Sequence, residues 1–240
     1  MKMWTLRIRT VLWGGIAVAL AAVIAVFFRT QGAAMAFSPW ADERTLVIDA
    51  GHGGFDGGAI GSGGTTEQHI NLSVAKRTQA LAGFFGIQTA MTRSDENALG
   101  YQPGRAIREN KVADIKMREK IVNETPDPVF ISIHLNKFEQ GKYWGAQVFY
   151  SKGNQEGMPL GETVQQCLID GLNKENHRKA KQAADTIYLM KKLQCPAIIV
   201  ECGFLSNPEE EQLLQQTEYH KRLAICIVSG YLQHLASTDA

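Results

Sequence analysis

The chain has 240 residues, 45% of them hydrophobic, enough to bury one substantial core and to suggest a single folded domain. Its 25 Lys and Arg against 24 Asp and Glu leave a net charge of +1, which provides no broad basic face and argues against nucleic acid as a partner. Cys167, Cys195, Cys202 and Cys226 lack paired C-x-x-C spacing and are too sparse for a disulfide scaffold, so they read as packed thiols.

Lys2, Arg7 and Arg9 precede residues 11–28, a run of 18 without a charge. The positive-inside rule keeps that cationic flank in the cytoplasm and places everything after Arg29 outside it. The run exceeds the ~7–15 residues of a signal-peptide core, which favours an anchor, yet Ala34-Met35-Ala36 resembles a cleavage site. Residues 1–29 are therefore expected to be a signal anchor or signal peptide. Residues 30–43 form the linker, and 44–240 the catalytic domain.

Strand-like apolar runs follow at 45–50, 86–91, 129–133, 146–150 and 197–200, between helical patterns at 67–83, 115–123, 162–172 and 209–235. This alternation predicts an α/β domain with helices on both faces of a mostly parallel sheet. Continuous runs such as Leu46-Val47-Ile48 and Ile198-Ile199-Val200 suit strands buried on both sides. Ligands of such sheets bind beyond the C-terminal strand ends, which turns attention to Asp49–Gly54, Ser132–Asn136 and Val200–Phe204.

His52 lies in a glycine-rich loop whose spacing fits neither phosphate-binding glycine motif. Glu67, behind a Thr65 or Thr66 cap, falls on the apolar stripe of its helix with Ile70, Asn71, Val74 and Leu81. A carboxylate there needs a cation or a metal, because burying a lone charge is costly. His69 falls on the solvent side and is excluded as a ligand. His134 ends the strand 129–133, and with His52 and Glu67 it makes the two-histidine, one-glutamate set of catalytic zinc. Glu201, desolvated by Ile198, Ile199, Val200 and Phe204, suits a general base. No G-x-S-x-G elbow is present, and Cys202 alternates away from Glu201.

With these residues in place, the sequence resembles the zinc-dependent N-acetylmuramoyl-L-alanine amidases of the Amidase_3 family. The matching segments are VIDAGHGGFDGGAIG (47–61), Glu67, Thr92-Arg93, Arg118, FISIHLN (130–136) and VECGFLSN (200–207). The resemblance implies one three-layer α/β/α domain with a sheet of about six strands. It also implies zinc held by His52, Glu67 and His134, with Glu201 catalytic, and a glycan strand bearing stem peptides as substrate. Within the family, the segments RKAK, IYLM and GFLSNPEE are most similar to the germination-specific amidases of spore formers. That implies stem-peptide removal for muramic-δ-lactam, membrane attachment through the N-terminal segment, a place around the developing cortex and an unknown sporulation partner.

Cys195 and Cys202 depart from that pattern, where apolar or small residues are expected. The basic positions Arg105, Arg108, Lys111, Arg178, Lys179 and Lys181 fit either a solvated surface or an acidic stem peptide. Arg118, Asn136, Arg178 and Lys181 are the expected substrate contacts. The competing functions are another zinc wall peptidase or deacetylase, a general wall-turnover amidase, and an inactive peptidoglycan-binding module.

Overall fold

The computed structural model describes residues 44–238, so the expected anchor and linker lie outside the described residues. In chain order the elements are β1 (Thr45–Ala50), α1 (Glu67–Phe84), β2 (Gln88–Met91), α2 (Ile107–Glu124), β3 (Pro128–Asn136) and β4 (Gln147–Tyr150). They continue with α3 (Gly157–Leu172), β5 (Lys181–Gln182), α4 (Tyr188–Lys192), β6 (Ala197–Phe204), α5 (Pro208–Leu214) and α6 (Thr217–Thr238).

The six strands form one sheet in the order β2-β1-β3-β6-β4-β5. β2, β1, β3 and β6 run parallel, while β4 runs antiparallel to β6 and carries β5 parallel to itself. The reversal starts β4 at the C-terminal edge of β3 and β6, so Gln147 stands opposite Glu201. At the other edge, Arg44 Nη2 donates to Thr238 Oγ1 at 3.3 Å, bringing the ends of the described chain together.

Register partners share a face, and the two faces are covered unequally. Leu46, Ile48, Val129, Ile131, Ile133, Ile198 and Val200 are fully buried on one, where α1 and α3 pack over the strands and α6 packs against both helices. A Cβ on Gly230 would lie 2.5 Å from Val164 Cα, so glycine is what lets α6 approach α3 so closely. On the second face, Val47, Phe130, Ala197 and Ile199 pack with Val122 of α2 and with Leu189 and Met190 of α4. Each large side chain buried this way contributes roughly 1.5–3 kcal/mol. These two helices leave the C-terminal edge open.

The helical pattern expected over 209–235 is two helices. The break falls at residues 215–216; before it, within α5, the Glu210 side chain accepts the backbone N–H groups of Gly145 and Phe204, both at 2.8 Å, and Glu211 accepts from Gly63. His220 Nε2 then takes the Leu214 carbonyl at 2.5 Å. Asn207 caps α5, accepting from Glu209 and Glu210 N. Thr66 is the N-cap of α1, without a side-chain cap hydrogen bond. α2 starts eight residues before its expected position, because Ile107 and Val112 are exposed and give no apolar stripe.

Candidate metal centre

Three elements bring the expected donors together. β1 ends in a turn that holds His52 at φ 62°, Glu67 opens α1, and His134 lies near the end of β3. One donor atom from each lies within 4.8 Å of the others, so the three could hold a metal ion. His134 Nδ1 is 2.9 Å and His52 Nε2 3.2 Å from the same Glu67 Oε1. A Cβ on Gly51 would stand 2.3 Å from the His134 ring, so only glycine lets the turn pass beneath it.

Glu67 is 3% exposed and accepts the backbone N–H of Leu135 at 3.0 Å and of Ala59 at 2.8 Å. Burial alone would push its carboxyl up; the two imidazoles hold it far below the usual carboxylate range. His52 Nδ1 meets Asp56 Oδ2 at 3.0 Å, and Asp56 in turn pairs with Lys111 at 3.0 Å. With Nδ1–H donating to Asp56, a neutral His52 would turn its Nε2 lone pair on Glu67 Oε1. Two lone pairs 3.2 Å apart need a proton or a metal cation between them. Without a metal the proton does this: burial lowers the His52 pKa, but Asp56 and Glu67 raise it to about 9. The donor set therefore fits a divalent ion.

Glu201 pairs in register with His134, one strand away. Its Oε2 is buried and has no hydrogen-bond partner among the described residues. Burial pushes its carboxyl up to about 7, with Glu67 adding to the rise and the two histidines opposing it. A cleft of about 350 Å³ joins Glu201 to His52 and His134 and is walled by Phe55, Ile115, Leu189 and Met190.

His69 is exposed and paired with Glu96 at 2.8 Å, away from the donors. Cys202 is buried with its Sγ turned to Val200 O at 3.7 Å. Burial raises the Cys195 and Cys226 thiols to about 11 and Cys202 well above the ordinary thiol value, which suits packed thiols.

Asn136, Arg178 and Lys181 line one open cavity of about 670 Å³ with Phe138, Tyr143 and Gln147. Arg178 lies 4.6 Å over the Phe204 ring, with Nε on Trp144 O at 2.8 Å and Nη1 on Gln147 Oε1 at 2.9 Å. Arg118 does not join them. It is 3% exposed, and its guanidinium is committed to Asp49, to Asp114 at 2.7 Å, and to the carbonyls of Ala50 at 2.9 Å and His52 at 2.6 Å. It is a buried brace beneath the site rather than a substrate contact. The sequence reading passed over Asp56 and Gln147. An acid four residues after His52 in the glycine-rich loop was a signal for the first, while Gln147 depends on strand order alone.

A two-histidine, one-carboxylate donor set with an unpartnered glutamate beside it, at the C-terminal edge of an α/β sheet, defines a metal-dependent hydrolase. The sequence profile of the N-acetylmuramoyl-L-alanine amidases (Amidase_3) matches residues 46–233, and the chain belongs to that family. It is 33% identical over 201 residues to the germination-specific N-acetylmuramoyl-L-alanine amidase of Bacillus subtilis (strain 168), covering 82% of this chain and 84% of that protein. The CwlD amidase from Clostridioides difficile, solved in complex with the GerS lipoprotein, superposes with a TM-score of 0.77 at 36% identity, over 80% of this chain and 98% of that one. An N-acetylmuramoyl-L-alanine amidase of Nostoc punctiforme gives a TM-score of 0.65 at 28% identity, covering 81% and 98%. The activity is hydrolysis of the amide between N-acetylmuramic acid and L-alanine in peptidoglycan.

Proposed function

We propose that His52, Glu67 and His134 hold zinc and that Glu201 carries the proton of the hydrolysis. Two imidazoles favour zinc over magnesium or calcium, which prefer oxygen donors. Zinc in that site supplies a Lewis acid for the scissile carbonyl and acidifies the water that attacks it. Glu201 accepts that water's proton and delivers it to the departing amine of L-alanine. Its buried, unpartnered Oε2 carries the reading, since a carboxyl poised near pH 7 can both take and return a proton. Asp56 keeps the His52 ring oriented, and the apolar wall of the cleft limits water.

Mass spectrometry of digested peptidoglycan tests this. Stem peptides beginning with a free L-alanine are expected, and their release stops when a chelator removes the metal. Muramic acid still carrying alanine would mean a peptidase, loss of acetyl groups a deacetylase, and no product an inactive binding module.

Asn136, Arg178 and Lys181 are proposed to receive the acidic stem peptide, since they share one cavity beside Glu201's partner Gln147. Lys181→Ala, at an exposed position, is expected to raise KM roughly two- to fivefold with kcat little changed, the scale of an exposed ion pair. An unchanged KM would remove Lys181 from the stem-peptide site.

We further propose that the substrate is spore cortex, on the strength of the germination-specific relative. Deleting the gene from a spore-forming host is expected to leave cortex without muramic-δ-lactam, because the stem must leave before the lactyl carboxyl can close a ring. Normal lactam content would move the enzyme to general wall turnover. The Clostridioides difficile amidase was solved with a lipoprotein, and we extend a sporulation partner to this chain, to be sought by co-purification from sporulating cells. A peptidoglycan substrate places the domain outside the cytoplasm. No helix among the described residues is long and apolar enough to cross a membrane. Attachment through residues 1–29 rests on their sequence, and alkaline extraction of membranes tests it.

A further inference from the structure

We infer that Arg93 and Arg118 are positioning residues for the metal, clamping three consecutive carbonyls of the His52 turn so that its ring meets the other two donors. The inference rests on the reading of His52 as a ligand.

The bonds divide between the two side chains. Arg93 donates from Nε to Ala50 O at 2.8 Å and from Nη2 to Gly51 O at 3.0 Å. The same Nη2 reaches Gln68 O at 2.9 Å, next to Glu67, so one guanidinium ties the His52 turn to the helix end that bears the second donor. Arg118 donates to Ala50 O at 2.9 Å and His52 O at 2.6 Å, and so ties the turn to α2. Asn71 adds a bond of 3.2 Å to Gly51 O. Beneath the His134 ring runs Gly51 itself, which brings the third donor into the same assembly.

The turn needs such holding. His52 sits at φ 62°, a left-handed conformation that is unfavourable for a residue other than glycine. Both arginines are 3% exposed, and two buried cations sharing the Ala50 carbonyl repel each other unless compensated. Asp49 and Asp114 compensate Arg118 directly. Arg93 spends its bonds on the carbonyls of Ala50, Gly51, Gln68 and Asp95. A planar fork with five donors on three nitrogens can reach carbonyls that lie apart, whereas the three donors of a lysine ammonium radiate from one nitrogen and cannot span the same set.

The test is metal affinity, measured on the full chain in detergent micelles. Stripped protein is titrated with zinc against a chromophoric chelator, and with cobalt by visible absorption. Arg93→Lys and Arg118→Lys keep the charge and lose the fork. Each is expected to bind zinc about 10–100-fold more weakly, the usual effect of losing support behind a ligand, and to alter the cobalt spectrum. Asp114→Asn, which removes the charge of Arg118's partner one turn earlier on α2 and leaves the arginine in place, is expected to weaken binding in the same direction and keeps the question open to measurement if a lysine variant does not fold. Leu168→Ala, a fully buried change on α3, controls for lost stability and is expected to lower the melting temperature with zinc affinity unchanged. Arginine variants that bind like wild type, or no more weakly than Leu168→Ala, overturn the clamp provided His52→Ala has lost its metal. If His52→Ala binds zinc normally, the ligand assignment itself has failed.

Discussion

Glu201→Ala is expected to keep its bound metal and to lose about 10²–10⁴-fold in kcat, the usual contribution of a positioned acid or base. The side chain stands one strand from His134, and its Oε2 is buried without a hydrogen-bond partner among the described residues, so its removal disturbs no observed bond. The pH profile supplies a second readout. A base works ionised, and this carboxyl is raised to about 7, so the wild-type rate climbs as pH rises toward that value. A cation in the neighbouring donor site draws the climb to lower pH. In Glu201→Gln the acidic limb disappears, because an amide does not titrate. Turnover near wild type in either variant, with a soluble muropeptide as substrate, would take Glu201 out of the reaction.

His134→Ala produces the larger loss, because it removes the metal rather than the proton carrier. Two protein donors remain where a catalytic site uses three. Glu67 Oε1 also gives up its 2.9 Å partner and stays almost fully buried against the Leu135 N–H. Elemental analysis of the purified variant is expected to find no stoichiometric zinc, with turnover below that of Glu201→Ala. The melting temperature is expected to fall as well, since a buried carboxylate has lost one of its two imidazole partners. Full zinc occupancy would refute the ligand set.

The candidate site was legible from sequence because His52, His134 and Glu201 each follow a short apolar run whose direction and burial are local properties, and Glu67 falls on the apolar stripe of its helix. Leu46-Val47-Ile48 announces the turn with His52, and Ile198-Ile199-Val200 announces Glu201. Other features depend on partners far along the chain. Arg118 reads as a free cation until Asp49, 69 residues away, is placed beside it. Nothing in residues 147–150 encodes that β4 is reversed, since an apolar run looks the same in either direction. β5 and α4, at 2 and 5 residues, are too short to show a period. The break at 215–216 is likewise absent from the local apolar pattern, and the bonds of Glu210 to Gly145 and of Glu211 to Gly63 join residues far apart in sequence.

The 3.3 Å bond between Arg44 and Thr238 joins the two ends of the described residues on the side of the sheet opposite the cleft. β1 alone, at 6 residues, separates the two edges by about 20 Å. A glycan strand is a long polymer with few free ends, so an enzyme that cuts along it must accept it broadside rather than by threading. Arg44 and Thr238, where the described residues begin and end, both lie behind the sheet, away from the side on which such a polymer reaches the cleft. An intact wall approaching the cleft therefore meets neither end of residues 44–238.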